Sequence, residues 1–236
     1  INHECGSEYP VSLSRKVLEI GADLGLAFDG DGDRLIAVDE SGTIITGDQL
    51  LAIGARFLYG RGQLWNNVLV STVMSNIGLK ECLQSIGIRH FASDVGDRHV
   101  MEKMTDCEAA LGGEDSGHII YRAYHTTGDG LLSALKLVEA MKEEDRSLSA
   151  MARFMTVYPQ TLINVPVNEK PAIATLAPVT DTIREEEQKL GDRGRVLVRY
   201  SGTQQICRVM VEGPTKEAAE QSAQNIAIAI ADAIGQ

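Results

Sequence analysis

The sequence predicts an α/β protein: a βαβ-type domain with a mixed, mainly parallel sheet, followed by a small α+β domain at the C-terminal end. Two observations support this prediction. Up to about residue 158, apolar runs of strand length alternate with segments of helical periodicity, as in proteins built from βαβ units. Beyond Tyr158 and Pro159 the order changes to strand, helix, hairpin and helix. With 236 residues, the chain is long enough for two or three domains.

The larger domain is expected to begin with two short apolar strands, 23–28 and 35–38, separated by a loop of Gly and Asp. A helix over 47–59 follows, with Asp48 as its predicted N-cap. The next expected elements are a strand at 68–73, a helix at 77–86, a strand at 89–95, a short helix at 99–104 and a Gly-rich loop within 109–121. The last helix, 131–142, is amphipathic, with Leu131, Leu135 and Val138 on one side.

The smaller domain is expected to contain a strand at 162–167 and a charged helix at 177–189. Two strands, 195–199 and 207–212, follow as a hairpin around a polar turn. The final helix, 215–234, has a regular apolar stripe that predicts its buried face: Ala219, Ala223, Ile226, Ile230 and Ile234.

Composition and charge exclude several classes of protein. The chain has 22 basic and 33 acidic residues and a formal net charge of −11, so its overall field repels nucleic acid and anionic membranes. No apolar stretch reaches the ~18 residues that a membrane-spanning helix needs. The four cysteines are widely spaced, which predicts buried free thiols in a reduced protein and no zinc site. The first residues show neither a Met nor a signal pattern, so we expect the chain to be part of a longer protein.

An acidic loop directly after the first strand is the strongest candidate for a metal site. Asp29, Asp31 and Asp33 alternate with two glycines, so extended backbone places the three carboxylates on one side. Carboxylate ligands select a hard cation, Mg²⁺ or Ca²⁺, over zinc or copper. The sequence therefore predicts a magnesium site here, with calcium as the alternative.

The calcium alternative rests on the spacing of an EF-hand loop. Asp29, Asp31, Asp33 and, at the twelfth position, Glu40 fit that spacing. Arg34, however, stands where the EF-hand needs Gly, and the flanking segments are predicted as strands rather than helices.

Two further segments carry polar groups in patterns typical of ligand binding. The loop 112–118 contains Glu114, Ser116 and His118 between glycines, a set of donors and acceptors that suits sugar hydroxyls. A turn with the sequence Ser201-Gly202-Thr203 can point backbone N–H groups and hydroxyls at one anion, and Arg199 and Arg208 flank it. On these residues alone, an ordinary polar turn remains the alternative for each segment.

In this order, the three segments resemble the α-D-phosphohexomutases, which move a phosphate between the 1- and 6-positions of a hexose through a phosphoserine. The family's metal loop has the pattern D-G-D-G-D-R, as at 29–34, and its sugar loop the pattern G-E-x-S-G-H, as at 113–118. Its phosphate loop has the pattern R-x-S-G-T with a second Arg, as at 199–208. Within the family, the chain is most similar to the bacterial phosphoglucosamine mutases. The stretches that support this branch are 2–6, 23–34, 74–76, 95–98, 126–130 and 193–199.

The resemblance implies roles for individual residues. Asp29, Asp31 and Asp33 are expected to hold Mg²⁺, and Glu114, Ser116 and His118 to bind the sugar. Arg34 and His118 are the candidates for a catalytic role. The expected phosphate ligands are Arg199, Ser201, Gly202, Thr203 and Arg208.

The resemblance also implies a domain division and a biological setting. Residues 1–43 match the remainder of the family's second domain, 44–158 its third and 159–236 its fourth. The family's catalytic serine lies in an N-terminal segment with a Ser-His-Asn core, which this sequence does not contain. We therefore expect a missing N-terminal half as partner, a hexosamine phosphate as substrate, a cytoplasmic location serving amino-sugar and cell-wall precursor synthesis, no nucleic acid, no membrane, and an assembly compatible with a homodimer.

The sequence departs from the family pattern at a few positions. Asp94 stands where Lys usually precedes Val-Gly-Asp-Arg, Gln204 and Gln205 replace Glu-Pro, and His99 replaces a common Tyr. Two alternatives to an amino-sugar enzyme follow. One is a mutase of the phosphomannomutase or phosphoglucomutase type, and the other is a fragment that binds metal and sugar phosphate without catalysis.

Overall fold

The computed structural model describes residues 3–235, which form two separate units. The first unit extends to Thr156 and the second begins at Val157. Each unit buries its own apolar cluster.

A small antiparallel sheet begins the first unit and carries the acidic loop. After helix α1 (Val11–Ile20), strands β1 (Leu24–Phe28), β2 (Leu35–Asp39) and β3 (Ile44–Ile45) pair in the order β1-β2-β3. Phe28 lies opposite Leu35 in the register, so residues 29–34 form the loop that closes this hairpin. The predicted strand–loop–strand arrangement is confirmed.

The main sheet of the first unit is mixed and mostly parallel, as predicted. Its strands are β4 (Val68–Thr72), β5 (Arg89–Ser93), β6 (Leu111–Gly113) and β7 (Ile119–Tyr121), in the order β5-β4-β6-β7. β4 runs parallel to both β5 and β6, whereas β7 runs antiparallel to β6. The helices of this unit are α2 (Gly47–Gly60), α3 (Ile77–Ser85), α4 (Asp97–Asp106), α5 (Gly130–Glu144) and α6 (Leu148–Ala152).

One apolar cluster joins the two sheets of the first unit. Leu35 and Ile45 of the small sheet belong to the same buried cluster as Leu69 and Leu111 of the main sheet. All four side chains are at most 1% exposed. Because burying such a side chain stabilises the fold by about 1.5–3 kcal/mol, this shared core fixes the acidic loop relative to the ends of the main strands.

Three sequence-based expectations are corrected here. Thr46, not Asp48, is the N-cap of α2, because a capping box joins Thr46 to Gln49. The side of α5 that carries Leu131 and Leu135 is its exposed side, and the buried side consists of Ala134, Leu137 and Ala140 with Ser133. Of the four cysteines, only Cys82 and Cys207 are buried, whereas Cys5 is exposed.

The second unit is an antiparallel sheet covered by two helices. Strands β8 (Gln160–Pro166), β9 (Arg195–Tyr200) and β10 (Ile206–Glu212) pair in the order β8-β10-β9, and helices α7 (Ala177–Leu190) and α8 (Lys216–Ile234) complete the unit. The predicted stripe of α8 is buried, and it packs with Val165, Cys207 and Val209 of the sheet. Strand, helix, hairpin and helix therefore occur in the predicted order.

Within residues 3–235, none of the helices combines the length and the apolar character that crossing a bilayer requires.

Candidate functional site

The acidic loop brings three carboxylates to one point. Oxygen atoms of Asp29, Asp31 and Asp33 lie within 4.8 Å of one another. Asp31 is exposed, whereas Asp29 and Asp33 are partly buried. The set offers only hard oxygen ligands, which is the chemistry that Mg²⁺ prefers. The residues present therefore fit a divalent cation.

The pKa values of Asp29 and Asp33 are shifted in opposite directions within the loop. Burial raises the pKa of Asp33, and both the hydrogen bond with Asp29 and the charges of Asp29 and Asp31 raise it further. Burial alone would also raise the pKa of Asp29, but hydrogen bonds from Asp33 and from the backbone N–H of Arg34 outweigh it and lower that pKa. A cation at this point would oppose the repulsion from Asp29 and Asp31 that contributes to the raised pKa of Asp33.

Arg34 is the basic group next to the loop. Its backbone N–H donates to Asp29 Oδ1 at 3.3 Å, and its Nε lies 3.7 Å from Asp29 Oδ2. Its Nη1 lies 3.6 Å from Glu8 Oε1. Arg34 therefore supplies positive charge to one side of the carboxylate cluster.

Glu40 lies away from the acidic loop, so the EF-hand arrangement on which the calcium alternative rests is wrong. β2 separates Glu40 from the loop, which places them at opposite ends of that strand. The carboxylate of Glu40 accepts hydrogen bonds from the hydroxyl of Ser149 at 2.5 Å and from its backbone N–H at 3.3 Å. In addition, the acidic loop is flanked by strands.

The predicted sugar loop, 113–118, lies directly against the acidic loop. The backbone N–H of Leu35 donates to the carbonyl oxygen of Gly117 at 3.0 Å, and Arg34 and His118 form an antiparallel bridge. Gly117 has φ +93° there, and a Cβ on it would lie 2.1 Å from the Leu35 carbonyl oxygen. Only glycine permits this close approach of the two loops.

His118 connects the two loops through its side chain. The residue is 3% exposed, and its Nε2 lies 3.6 Å from Asp33 Oδ2. The same nitrogen accepts the backbone N–H of Gly128 at 3.1 Å. The His118 side chain therefore joins the sugar loop both to the acidic loop and to the segment before α5.

Glu114 and Ser116 occupy the outer part of the sugar loop. Glu114 Oε1 accepts the backbone N–H of Gly96 at 3.0 Å, which joins the loop to the segment before α4. Ser116 is exposed. Gly96 and Gly128 were not predicted as site residues; the only signal was that each lies in a stretch supporting the family resemblance.

The predicted phosphate turn, 199–208, closes the hairpin of β9 and β10 in the second unit. Arg199 lies directly opposite Arg208 in the register. Like charges directly opposite each other destabilise a sheet unless an anion lies between them. Among the described residues, Arg208 Nε is buried without a hydrogen-bond partner, and no carboxylate forms an ion pair with either arginine. The pair is therefore suited to an anion.

The turn itself is held by its first residue and by a nearby lysine. Ser201 is buried; its N–H donates to the carbonyl of Ile206 at 3.0 Å and its Oγ accepts the N–H of Gln204 at 3.3 Å. Lys170 Nζ donates to the Ser201 carbonyl oxygen at 2.7 Å. Gly202 and Thr203 are exposed at the tip. The predicted metal and sugar residues thus lie in the first unit, and the predicted phosphate residues lie in the second.

Two family models match most of the chain. Residues 46–158 match "Phosphoglucomutase/phosphomannomutase, alpha/beta/alpha domain III", and residues 162–229 match the C-terminal domain of the same family.

Curated relatives agree with the family models. The phosphoglucosamine mutase of Syntrophus aciditrophicus is 51% identical over 235 residues, which cover 100% of this chain and 52% of the relative. The phosphoglucosamine mutase of Syntrophobacter fumaroxidans is 54% identical over 235 residues, with the same coverage. The chain therefore spans about half the length of the curated relatives it matches.

Solved structures show the same fold. A crystal structure of Aspergillus fumigatus N-acetylphosphoglucosamine mutase, in complex with GlcNAc-6P and magnesium, matches with a TM-score of 0.78 and 21% identity. The match covers 100% of this chain and 54% of that chain. The two family models, the motifs and this fold agree, so the chain belongs to the phosphoglucomutase/phosphomannomutase family, the α-D-phosphohexomutases.

Proposed function

We propose that this chain is part of an isomerase that interconverts glucosamine 6-phosphate and glucosamine 1-phosphate by phosphoserine-mediated transfer. The observation that carries the proposal is the direct contact between the acidic loop and the sugar loop, at Leu35–Gly117 and Asp33–His118. This contact would place a metal-bound phosphoryl group beside the hydroxyls of a sugar. The relatives with about half of their residues identical favour the amino sugar over glucose or mannose.

In this proposal Asp29, Asp31 and Asp33 hold Mg²⁺. When bound, the cation would neutralise part of the negative charge on the transferring phosphoryl group. Arg34 keeps Asp29 ionised and in place, because its backbone N–H and guanidinium both face that carboxylate. Arg34 is therefore a candidate for stabilising charge beside the reacting group.

Glu114 and Ser116 are the proposed ligands of the sugar hydroxyls. Glu114 already has one oxygen bound by Gly96, which leaves the other oxygen for a hydroxyl. His118 is the third candidate, and its burial against Asp33 suits it to hold the sugar loop on the acidic loop.

Arg199, Ser201, Gly202, Thr203 and Arg208 are the proposed ligands of the phosphate that is not transferred. Binding of this non-reacting phosphate contributes binding energy that can position the opposite end of the sugar for reaction. The paired arginines support this assignment, because they lie opposite each other without a carboxylate partner among the described residues.

The division into family domains is part of the same proposal: 1–43, 44–158 and 159–236 correspond to the remainder of the second, the third and the fourth domain. The reactive serine is assigned to the N-terminal half of such a protein, which would act with this chain in the cytoplasm, alone or as a homodimer.

Titration calorimetry on matched variants tests the two proposed binding sites. Asp31→Asn should abolish Mg²⁺ binding, whereas the control Asp23→Asn, an exposed acid at the start of β1, should not. Arg208→Ala should weaken glucosamine 6-phosphate binding by about tenfold or more, because a charge-assisted hydrogen bond contributes roughly 1.5–3 kcal/mol. The control Arg193→Ala, in an exposed turn, should leave this affinity unchanged.

Competition among sugar phosphates decides the substrate. Glucosamine 6-phosphate should bind more tightly than glucose 6-phosphate and mannose 6-phosphate. Tighter binding of glucose 6-phosphate or mannose 6-phosphate would instead support a phosphoglucomutase or a phosphomannomutase. Binding without turnover in the full-length protein would support the non-catalytic alternative.

A further inference from the structure

The sugar loop is held against the first turn of α2 by a residue to which the proposed function gives no role. Gly47, the first residue of α2, donates its N–H to the carbonyl oxygen of Asp115 at 3.0 Å. The next N–H of the helix, that of Asp48, donates to Oδ1 of the Asp115 side chain at 3.1 Å. Asp115 therefore contacts the helix end through both its backbone and its side chain.

This contact completes the hydrogen bonding of the helix end. The first four N–H groups of a helix have no partners inside the helix. In α2 these groups belong to residues 46–49, and the capping box satisfies two of them: the Thr46 side chain accepts the N–H of Gln49, and Gln49 Oε1 accepts the N–H of Thr46 at 3.2 Å. The remaining two N–H groups are the ones that Asp115 accepts. A carboxylate at this position is also favoured by the positive end of the helix dipole.

Gly47 provides a second, independent sign of the docking. A Cβ at this position would lie 2.3 Å from the carbonyl oxygen of Glu114 and 2.6 Å from that of Asp115. Both are backbone atoms, which cannot move without shifting the loop. The backbone of Gly47 lies outside the left-handed region, so its conformation alone does not require glycine. The absence of a side chain is required by the close approach of the sugar loop.

Docking at Asp115 affects its neighbours in the loop, Glu114 and Ser116. The loop is closed by two further hydrogen bonds, from the N–H of Glu114 to the His118 carbonyl and from the N–H of Gly117 to the Glu114 carbonyl, both at 3.0 Å. These bonds fix the shape of the loop but do not tie its outer end to the rest of the unit. The Asp115 side chain connects this end of the loop to α2 through its hydrogen bond with the N–H of Asp48.

We propose that Asp115 is a positioning residue, which docks the sugar loop on α2 and thereby holds Glu114 and Ser116 in place for the sugar hydroxyls. The identity of the ligand rests on the proposed function, whereas the docking itself does not. Asp115 contacts the helix, and the sugar is bound by its neighbours.

Three variants separate positioning from simple stabilisation. Asp115→Ala removes the acceptor, and Asp115→Asn keeps an acceptor oxygen in its place. Thr46→Ala is the matched control, because it removes a side-chain acceptor at the same helix end that bonds Gln49 of the helix and not a residue of the sugar loop. Amide hydrogen exchange at Asp48 and Gly117, measured by NMR, reports on the docking. Calorimetric titration with glucosamine 6-phosphate and with inorganic phosphate reports on binding.

We expect Asp115→Ala to speed exchange at Asp48 and Gly117 and to weaken glucosamine 6-phosphate binding, each by about fivefold, the factor for one lost capping acceptor. Inorganic phosphate, assigned to the second unit, should bind as before. Asp115→Asn should restore both readouts to within about twofold. Thr46→Ala should lower the melting temperature while leaving the sugar-phosphate affinity unchanged.

Unchanged Gly117 exchange or unchanged sugar-phosphate affinity in Asp115→Ala would overturn the positioning role. An equal loss of affinity in Thr46→Ala would also overturn it, because helix stability would then explain the effect. A wild-type protein that binds inorganic phosphate but no sugar phosphate would refute the proposed function. In that case, Gly117 exchange in Asp115→Ala still decides the docking: faster exchange supports it and unchanged exchange overturns it.

Discussion

Asp33 lies between two acidic neighbours and a buried imidazole, and this position determines when its carboxyl group is charged. Because burial and the neighbouring charges raise its pKa, Asp33 keeps its proton to a higher pH than an isolated aspartate. A protonated carboxyl group is a poor metal ligand, so cation binding must displace this proton.

We therefore predict that Mg²⁺ binding releases a proton and strengthens as the pH rises through the titration of Asp33. The affinity should increase by up to about tenfold per pH unit below that pKa and level off above it. Calorimetry in buffers of different ionisation enthalpy measures the released proton. A Mg²⁺ affinity that does not change between pH 4 and pH 8 would contradict the prediction.

Gly117 allows a second prediction at the scale of one residue. Gly21 and Gly117 both have positive φ, +63° and +93°, but a Cβ at Gly21 would meet no atom within 4 Å. Gly21→Ala should therefore lower the free energy of unfolding by only about 1–2 kcal/mol, which is the strain of a non-glycine residue in the left-handed region. Gly117→Ala should lower the free energy of unfolding by clearly more, because its Cβ would also collide with the Leu35 carbonyl oxygen. Urea denaturation of the two variants measures both costs, and equal values would show that the loop contact is loose.

The local part of the candidate site could be predicted from the sequence, but the contacts between segments could not. The alternation of Asp29, Asp31 and Asp33 predicts a carboxylate cluster, since it needs only the geometry of a few consecutive residues. The contact of His118 with Asp33 depends on how the main sheet places its loops. No spacing in the sequence encodes that distance.

At the scale of elements, Glu40 joins the end of β2 to the start of α6. Burial alone would raise the pKa of Glu40, but hydrogen bonds from Ser149 and Ser147 dominate and lower it from 4.5 to about 2. A pKa that is lower in the folded state stabilises the fold above the unfolded value, and this contribution is lost as the pH falls toward the folded value.

We predict that the first unit loses stability between about pH 4.5 and pH 2 in part through Glu40. Glu40→Gln should be less stable than the wild type at pH 7 and should show a shallower loss over this range. Denaturation midpoints at several pH values test this, with Asp23→Asn as the control for a nearby exposed acid. Parallel acid curves for wild type and Glu40→Gln would contradict the prediction.

Helix positions were predicted better than helix faces. The apolar stripe of α8 is confirmed, because its residues repeat at helical spacing and pack on one sheet. In α5, the side with Leu131 and Leu135 is exposed, while small residues such as Ala134 and Ala140 are buried. Small side chains allow close packing between elements, and a scale of hydrophobicity alone does not identify such a face.

At the scale of the whole molecule, the proposed chemistry is divided between two units with separate cores. The acidic loop and the sugar loop belong to the first unit, and the arginine pair belongs to the second. Binding of Mg²⁺ and of inorganic phosphate can therefore be altered independently by substitutions in one unit.

The last prediction is that these 236 residues alone bind substrate but do not turn it over. Phosphoryl transfer needs a nucleophilic oxygen in line with the phosphate, whereas metal ligands and arginines only stabilise the charge around it. In the proposed roles, Ser116 binds a sugar hydroxyl and Ser201 closes the phosphate turn. The purified chain, supplied with Mg²⁺ and a bisphosphorylated hexosamine, should show no conversion above background, and adding a separately produced N-terminal half of a relative should restore it. Turnover above background by the purified chain alone would contradict the prediction and would place the nucleophile within these residues.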